Sequence, residues 1–347
     1  MIKVLIVDDS ALIRSLLKEI LSKEKDMVVV GAAPDAYVAR DMVNKFSPDV
    51  ITLDIEMPKV DGITFLAKLM KARPTPVLMI STLTEKGADA TLKSLELGAI
   101  DYIAKPKIGV AEGIEEYRQL IVEKVRVAAS SKVAKREDSQ SNIKQQSIIS
   151  GTEKIIAVGA STGGTETIKT FLLSLPANAP AVVITQHMPP GFTKTFADRL
   201  NTLCSVNVCE AKGGERLLPG SVFIAPGDIH MGVEKSGADY RTILIDKPRV
   251  SGHKPSVDVL FESISRCAGK NAIGIIMTGM GKDGALGLSA MKQSGAFTIA
   301  QDEASCVVFG MPGEAIKLGA ASVVCDIKDI SQTVFDYIRK TGSGSRL

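Results

Sequence analysis

The stretch IIAVGASTGGTET, Ile155 to Thr167, decides how this chain is read. An apolar run passes through Gly159, Ala160 and Ser161 into a Thr-, Gly- and Glu-rich start, the pattern of strand, tight turn and helix. Such a turn serves two chemistries. Free N–H groups at the start of the helix can cradle a phosphate, or the sharp turn can hold the Ser161 hydroxyl clear of a sheet as a nucleophile. Both belong to an α/β architecture.

Residues 1 to 127 alternate in the same manner. KVLIVDD, MVVVGAA, DVITLD, PVLMIS and DYIAKP read as strands, separated by helical patterns such as Leu12, Ile13, Leu16, Leu17 and Ile20. Residues 128 to 150, AASSKVAKREDSQSNIKQQSIIS, are rich in Ser, Gln and charge and read as a polar linker. Across residues 151 to 347 a second set follows: KIIAVGA, PAVVITQ, SVFIAP, RTILID, AIGIIMTG, AFTIA and SVVCD, with helical patterns after residues 163, 190, 256, 283 and 328. The run from Val206 to Asp246 reads as inserted hairpins. The expected fold class is therefore α/β, two doubly wound parallel-sheet domains joined by a polar linker.

A chain of 347 residues has room for two cores, and 45% hydrophobic with 23% charged residues describes an ordinary soluble protein. A net charge of +3 is too small to argue for nucleic acid. No apolar run approaches the roughly 18 residues that span a membrane, and the opening MIKVLIVDDS is a strand rather than a leader. A cytoplasmic protein without membrane insertion is expected. The five cysteines lack C-x-x-C spacing, so neither a zinc site nor a disulfide framework is expected, and all are read as buried packing residues.

Chemistry collects at the carboxyl ends of parallel strands. In the first domain Asp8 and Asp9 end the first strand, Asp54 the third, Ser81 the fourth, and Lys105 the fifth. Any one Asp there could simply cap a helix. Three converging carboxylates repel one another unless a cation joins them, and Mg²⁺ suits an all-oxygen site. The motifs VDDS, LDIEMPKVDG, VLMIS and DYIAKP resemble, in order and spacing, the flavodoxin-like receiver domain of response regulators. That resemblance implies that Asp54 is the phosphoacceptor and that Asp8 and Asp9 join it in binding Mg²⁺. It also implies that Lys105 pairs with the phosphoryl group, that Ser81 and Tyr102 report its presence, and that a histidine kinase is the donor.

In the second domain the turn at Ser161 lacks the Lys of a P-loop and the spacing of a dinucleotide fingerprint, which disfavours the phosphate cradle. A nucleophile needs a base, and there are three histidines: His187, His230 and His253. His187 ends the strand AVVITQH, on the edge where Ser161 lies; the others sit in less regular stretches. Asp283, after the strand of AIGIIMTGMGKDGALG, supplies a carboxylate at the same edge, although an N-cap is its plainer reading. Three residues after three parallel strands make a triad possible.

The motifs VGASTGG, QHMPPGFT, GHKPSVDVLF and MTGMGKDGA resemble the chemotaxis-specific protein-glutamate methylesterase domain, the CheB family, across residues 152 to 345. The resemblance implies hydrolysis of glutamate methyl esters on the cytoplasmic helices of chemoreceptors, deamidation of receptor glutamines, and control by phosphorylation. Ser, His and Asp chemistry needs no metal or nucleotide, so no cofactor is expected at the esterase site, and a monomer is expected. It maps the nucleophile to Ser161, the base to His187 and the orienting carboxylate to Asp283, with Thr162 and Met280 in the active-site turns; the Met280 N–H is the candidate oxyanion donor. Two rival readings are weaker: a DNA-binding output would need a basic helix-turn-helix, and an adaptor would not need an intact Ser, His and Asp.

Overall fold

A computed structural model describes residues 1–82, 84–105, 114–131 and 154–342. Two compact units divide the chain, Met1–Ser139 and Gln140–Leu347. The first holds β1 (Ile2–Val7), α1 (Ala11–Ser22), β2 (Met27–Ala33), α2 (Ala36–Phe46), β3 (Val50–Asp54), α3 (Gly62–Ala72), β4 (Val77–Ser81), α4 (Glu85–Glu96), β5 (Asp101–Ala104) and α5 (Ile114–Ser130). Its strands form one parallel sheet in the order β2-β1-β3-β4-β5.

Local sequence explains these elements. The central strands are near-continuous apolar runs because helices cover both faces; Leu5, Ile6, Ile51, Leu53 and Leu78 are fully buried. Helices begin where a short polar side chain accepts a first-turn N–H: Ser10 from Ile13, Asp35 from Tyr37 and Val38, Asp61 from Thr64, and Thr84 from Gly87. Ser10, not Asp8 or Asp9, caps α1. Helix α5 continues to Ser130, past the expected boundary at residue 127, and residues 132–150 of the expected linker lie outside the described residues.

The second unit holds β6 (Ile155–Ala160), α6 (Gly164–Leu173), β7 (Ala181–Gln186), α7 (Phe192–Leu203), β8 (Asn207–Glu210), β9 (Ser221–Ile224), β10 (His230–Ser236) and β11 (Asp239–Ile245). These are followed by α8 (Val257–Cys267), β12 (Ala272–Ile276), α9 (Ala285–Gln293), β13 (Phe297–Gln301), α10 (Met311–Lys317), β14 (Val323–Cys325) and α11 (Ile327–Gly342). A parallel sheet runs β14-β13-β12-β6-β7-β9-β8, and β10 pairs antiparallel with β11 outside it. The expected hairpins of Val206 to Asp246 are thus one hairpin: β8 and β9 instead lie parallel in the main sheet. Helix α10 was not expected, being only seven residues long and too short to display a period.

Phe171, Phe192 and Phe261 are fully buried around this sheet. The cysteines correct another expectation: all are free, four are half-buried, and Cys209 is exposed. Among the described residues no helix is long and apolar enough to cross a membrane.

Candidate functional site

The strand order changes direction between β1 and β3 in the first sheet and between β6 and β12 in the second, where β9 and β8 are also exchanged at one edge; in such sheets the crevice outside the carboxyl ends at the central change of direction is the usual site. Ser161, His187 and Asp283 follow β6, β7 and β12, so the second crevice brings together the three residues expected from sequence.

The Ser161 turn is held on all sides. Ser161 N–H donates to the Thr278 carbonyl at 3.0 Å, and the Ser161 carbonyl accepts from Gly164 N at 2.7 Å and Gln186 Nε2 at 2.9 Å. Gly163 takes φ +78°, and a Cβ there would come within 2.6 Å of Val307 Cβ, so only glycine fits the turn. The Ser161 hydroxyl lies 3.1 Å from His187 Nδ1, and His187 Nε2 lies 2.8 Å from Asp283 Oδ2. Because a carboxylate accepts, the imidazole proton sits on Nε2, leaving the Nδ1 lone pair toward Ser161. The two ring nitrogens are used in the opposite sense to the serine-protease arrangement.

Asp283 does not cap the helix that follows it. Gly284 holds that position without any side-chain cap, and the Asp283 carboxylate instead reaches the start of α8. It accepts from Ser256 Oγ at 2.7 Å, Val257 N at 2.7 Å and Asp258 N at 3.1 Å. Burial alone would raise its pKa, but the His187 hydrogen bond and charge, the Ser256 hydroxyl and the Val257 amide outweigh that and hold it below the usual carboxylate range. An ionised Asp283 is the state that favours imidazolium formation beside it.

His253, set aside at the sequence level, belongs at the site: its ring stacks on His187 with centroids 3.7 Å apart and planes 10° from parallel. His230 is fully buried, its Nε2 donating to the Pro248 carbonyl at 3.0 Å and its Nδ1 accepting from Ser256 N at 3.1 Å. Both ring nitrogens are engaged, so it braces Ser256 rather than serving as a base. Thr162 is buried, its carbonyl accepting from Thr278 Oγ1 at 3.0 Å. Met280 is half-buried between Gly279 and Gly281, and among the described residues its N–H donates to no protein acceptor. Sequence reasoning missed Gln186, His253, Ser256 and Asp258, although the last three stand in the motif GHKPSVDVLF.

In the first crevice Asp8 and Asp54 are buried and Asp9 is exposed, with one oxygen of each within 4.8 Å of the others. Lys105 Nζ reaches Asp54 Oδ2 at 2.8 Å and Asp8 Oδ2 at 3.1 Å. Burial, reinforced by the Asp8 charge and opposed by Lys105, pushes Asp54 up to about 6. An all-oxygen set with excess negative charge fits a hard divalent cation. A cavity of about 490 Å³ opens over Asp54, lined also by Asp9, Glu56, Ser81 and Thr82. The Ser81 hydroxyl accepts from Thr91 Oγ1 at 2.8 Å, and Tyr102 is buried, with Lys124 Nζ 5.5 Å from its ring centre.

Comparison with known protein families matches residues 156–334 to the CheB methylesterase family and residues 4–115 to the response regulator receiver domain. A Pseudomonas aeruginosa relative named protein-glutamate methylesterase/protein-glutamine glutaminase 2 is 56% identical over 100% of this chain and 99% of its own. The Escherichia coli protein-glutamate methylesterase/protein-glutamine glutaminase is 53% identical over the same shares. Among solved structures, the Thermotoga maritima CheB methylesterase catalytic domain superposes with a TM-score of 0.52 at 38% identity, covering 53% of this chain and 98% of that one. The strand-edge Ser, His and Asp and the carboxylate cluster with its lysine thus occur in matched domains: the chain belongs to the CheB methylesterase family and carries a response regulator receiver domain ahead of its methylesterase domain.

Proposed function

We propose that this protein hydrolyses glutamate methyl esters on the cytoplasmic helices of chemoreceptors, deamidates receptor glutamines by the same acyl chemistry, and is switched by phosphorylation of Asp54. The observation that carries the reading is the continuous hydrogen-bonded chain from Ser161 Oγ through His187 to Asp283.

Ser161 attacks the ester carbonyl as His187 Nδ1 takes its proton, and the ionised Asp283 stabilises the resulting imidazolium through Nε2. The tetrahedral oxyanion falls near the turn whose Met280 N–H is otherwise unused, with Thr162 on the facing turn. His187 returns the proton to the departing methoxide, which leaves as methanol, or to the departing amide nitrogen, which leaves as ammonia, when the substrate is a glutamine. Water then repeats the sequence on the acyl-enzyme and releases glutamate.

In the receiver domain, assigned to residues 1–127, Asp54 accepts a phosphoryl group from a chemotaxis histidine kinase. Asp8, Asp9 and Asp54 are the residues that would hold Mg²⁺, which when bound neutralises charge on the transferring group. Lys105, already between Asp54 and Asp8, pairs with a phosphoryl oxygen. Ser81 turns from Thr91 toward the new dianion, and Tyr102 follows. The methylesterase domain is assigned to residues 151–347, and a monomer working in the cytoplasm fits both assignments.

Ser161→Ala tests the reading. It removes a half-buried hydroxyl without opening a cavity, so the fold and phosphorylation should persist while methanol release from methyl-labelled receptor membranes falls on the order of 10⁴-fold. Retention of even a tenth of the activity would remove Ser161 as nucleophile.

A further inference from the structure

Helices α8 and α9 lack side-chain caps of their own: Ser256 and Gly284 stand at the N-cap positions, and neither offers a side-chain bond to its own helix. Each helix is capped by the other. Asp283, just before α9, accepts Val257 N and Asp258 N at the start of α8, while Asp258, in the first turn of α8, accepts Gly287 N of α9 at 2.7 Å through its Oδ1. The exchange satisfies first-turn N–H groups of both helices inside the protein, where water cannot. Asp258 is only 4% exposed.

The second carboxylate is a costly way to make a cap. Asp258 faces the Asp283 carboxylate, with His187 beyond it, and it faces the amides of Gly284, at the N-cap of α9, and Gly287, in its first turn. Burial, only partly offset by Gly287 and reinforced by the Asp283 charge, pushes Asp258 above the usual carboxylate range. A neutral residue would cap α9 without that repulsion. What the arrangement provides is a clamp: α9 is seated on α8 immediately after the residue whose carboxylate must meet His187.

We propose that Asp258 is a positioning residue for ester hydrolysis, seating the start of α9 on α8 through Gly287 so that the Asp283 carboxylate stays aligned with His187 Nε2. The proposal rests on the reading of Ser161, His187 and Asp283 as a triad. It assigns Asp258 no contact with substrate. Its effect passes through Asp283, so it acts on turnover rather than on substrate binding.

The test compares Asp258→Ala, Asp258→Asn and Asp283→Asn in the full-length protein, reading kcat and KM for methanol release, their pH profiles and thermal melting. Asp258→Ala should lower kcat about tenfold or more with KM little changed, because small misalignments of a reacting constellation are expensive in rate. Asp258→Asn should restore most of kcat, since its side-chain oxygen still accepts from Gly287. It should also shift the acid limb of the profile to lower pH, since a negative charge beside the Asp283–His187 pair is gone. Wild-type kcat in Asp258→Ala, or no rescue by Asp258→Asn, overturns the proposal. If Asp258→Ala does not fold, Asp258→Asn decides, since it keeps the acceptor for Gly287, and a kcat about tenfold or more below wild type in that folded variant overturns the proposal. An active Asp283→Asn would remove the triad reading itself, whereas a dead Asp283→Asn beside a fully active Asp258→Ala would sink only the clamp.

Discussion

Replacing Asp283 by Asn changes one atom, and the surroundings of that carboxylate leave the amide no good orientation. One oxygen accepts from His187 Nε2 and Val257 N; the other accepts from Ser256 Oγ and Asp258 N. An amide turned with its oxygen toward His187 sets its NH₂ against the Asp258 N–H. Turned the other way, the NH₂ opposes Val257 N–H and forces the His187 proton onto Nδ1, where it faces Ser161 and the base is lost. The stability cost is that of one buried donor left unpaired, about 1–3 kcal/mol, within what an ordinary domain tolerates. The rate cost is larger: a wrong tautomer and an uncompensated imidazolium give on the order of 10⁴ in kcat, about 5 kcal/mol. Because the folded carboxyl is held below its unfolded pKa, its stabilisation is present above the usual carboxylate range and fades as pH falls through and below it. The stability gap between wild type and Asp283→Asn should therefore narrow on acidification below about pH 4. Methanol release and thermal melting measured together decide the matter. A variant that keeps more than a tenth of its turnover with an unchanged melting temperature would refute the assignment.

Among the histidines, His187→Gln should be nearly as damaging as loss of Ser161, with His253→Gln costing far less because His253 stacks on His187 whereas it is His187 Nδ1 that meets Ser161; methanol release with His253→Gln as the dead variant would reverse that ranking. Asp54→Asn should abolish stimulation by a small-molecule phosphodonor while leaving basal turnover, and a fragment from Gly151 to Leu347 should be faster than the unphosphorylated full-length protein. Equal rates for fragment and resting protein would exclude restraint of the esterase by its receiver.

The parts legible in the sequence were those whose signal is local. A buried parallel strand is a continuous apolar run, so β1, β3, β6, β7 and β12 announced themselves, and with them the edge positions of Asp54, Ser161, His187 and Asp283. What the sequence concealed depends on distant partners. Nothing near Asp283 indicates that it caps α8 rather than α9, since a short acid before a helix looks the same in either case. His253 and Ser256 lie in an irregular stretch whose place beside His187 follows from packing. The strands β8 and β9, four residues each, pair in parallel with each other and β9 with β7, a register that no turn chemistry nearby could specify.

The three strands that deliver Ser161, His187 and Asp283 are the central ones of the seven-stranded sheet, β12, β6 and β7, with neighbours on both sides. Amides in such strands exchange with solvent only when the whole unit opens, whereas sheet edges and short helices fray independently. The strands that carry Ser161, His187 and Asp283 therefore give way only with the unit as a whole. On heating, turnover should persist until the methylesterase unit melts as a body, and slow deuterium uptake in Ile155–Ala160, Ala181–Gln186 and Ala272–Ile276 should track the same opening free energy. Reversible loss of activity well below that transition, with those amides still protected, would place the fragile element in the substrate-facing turns instead.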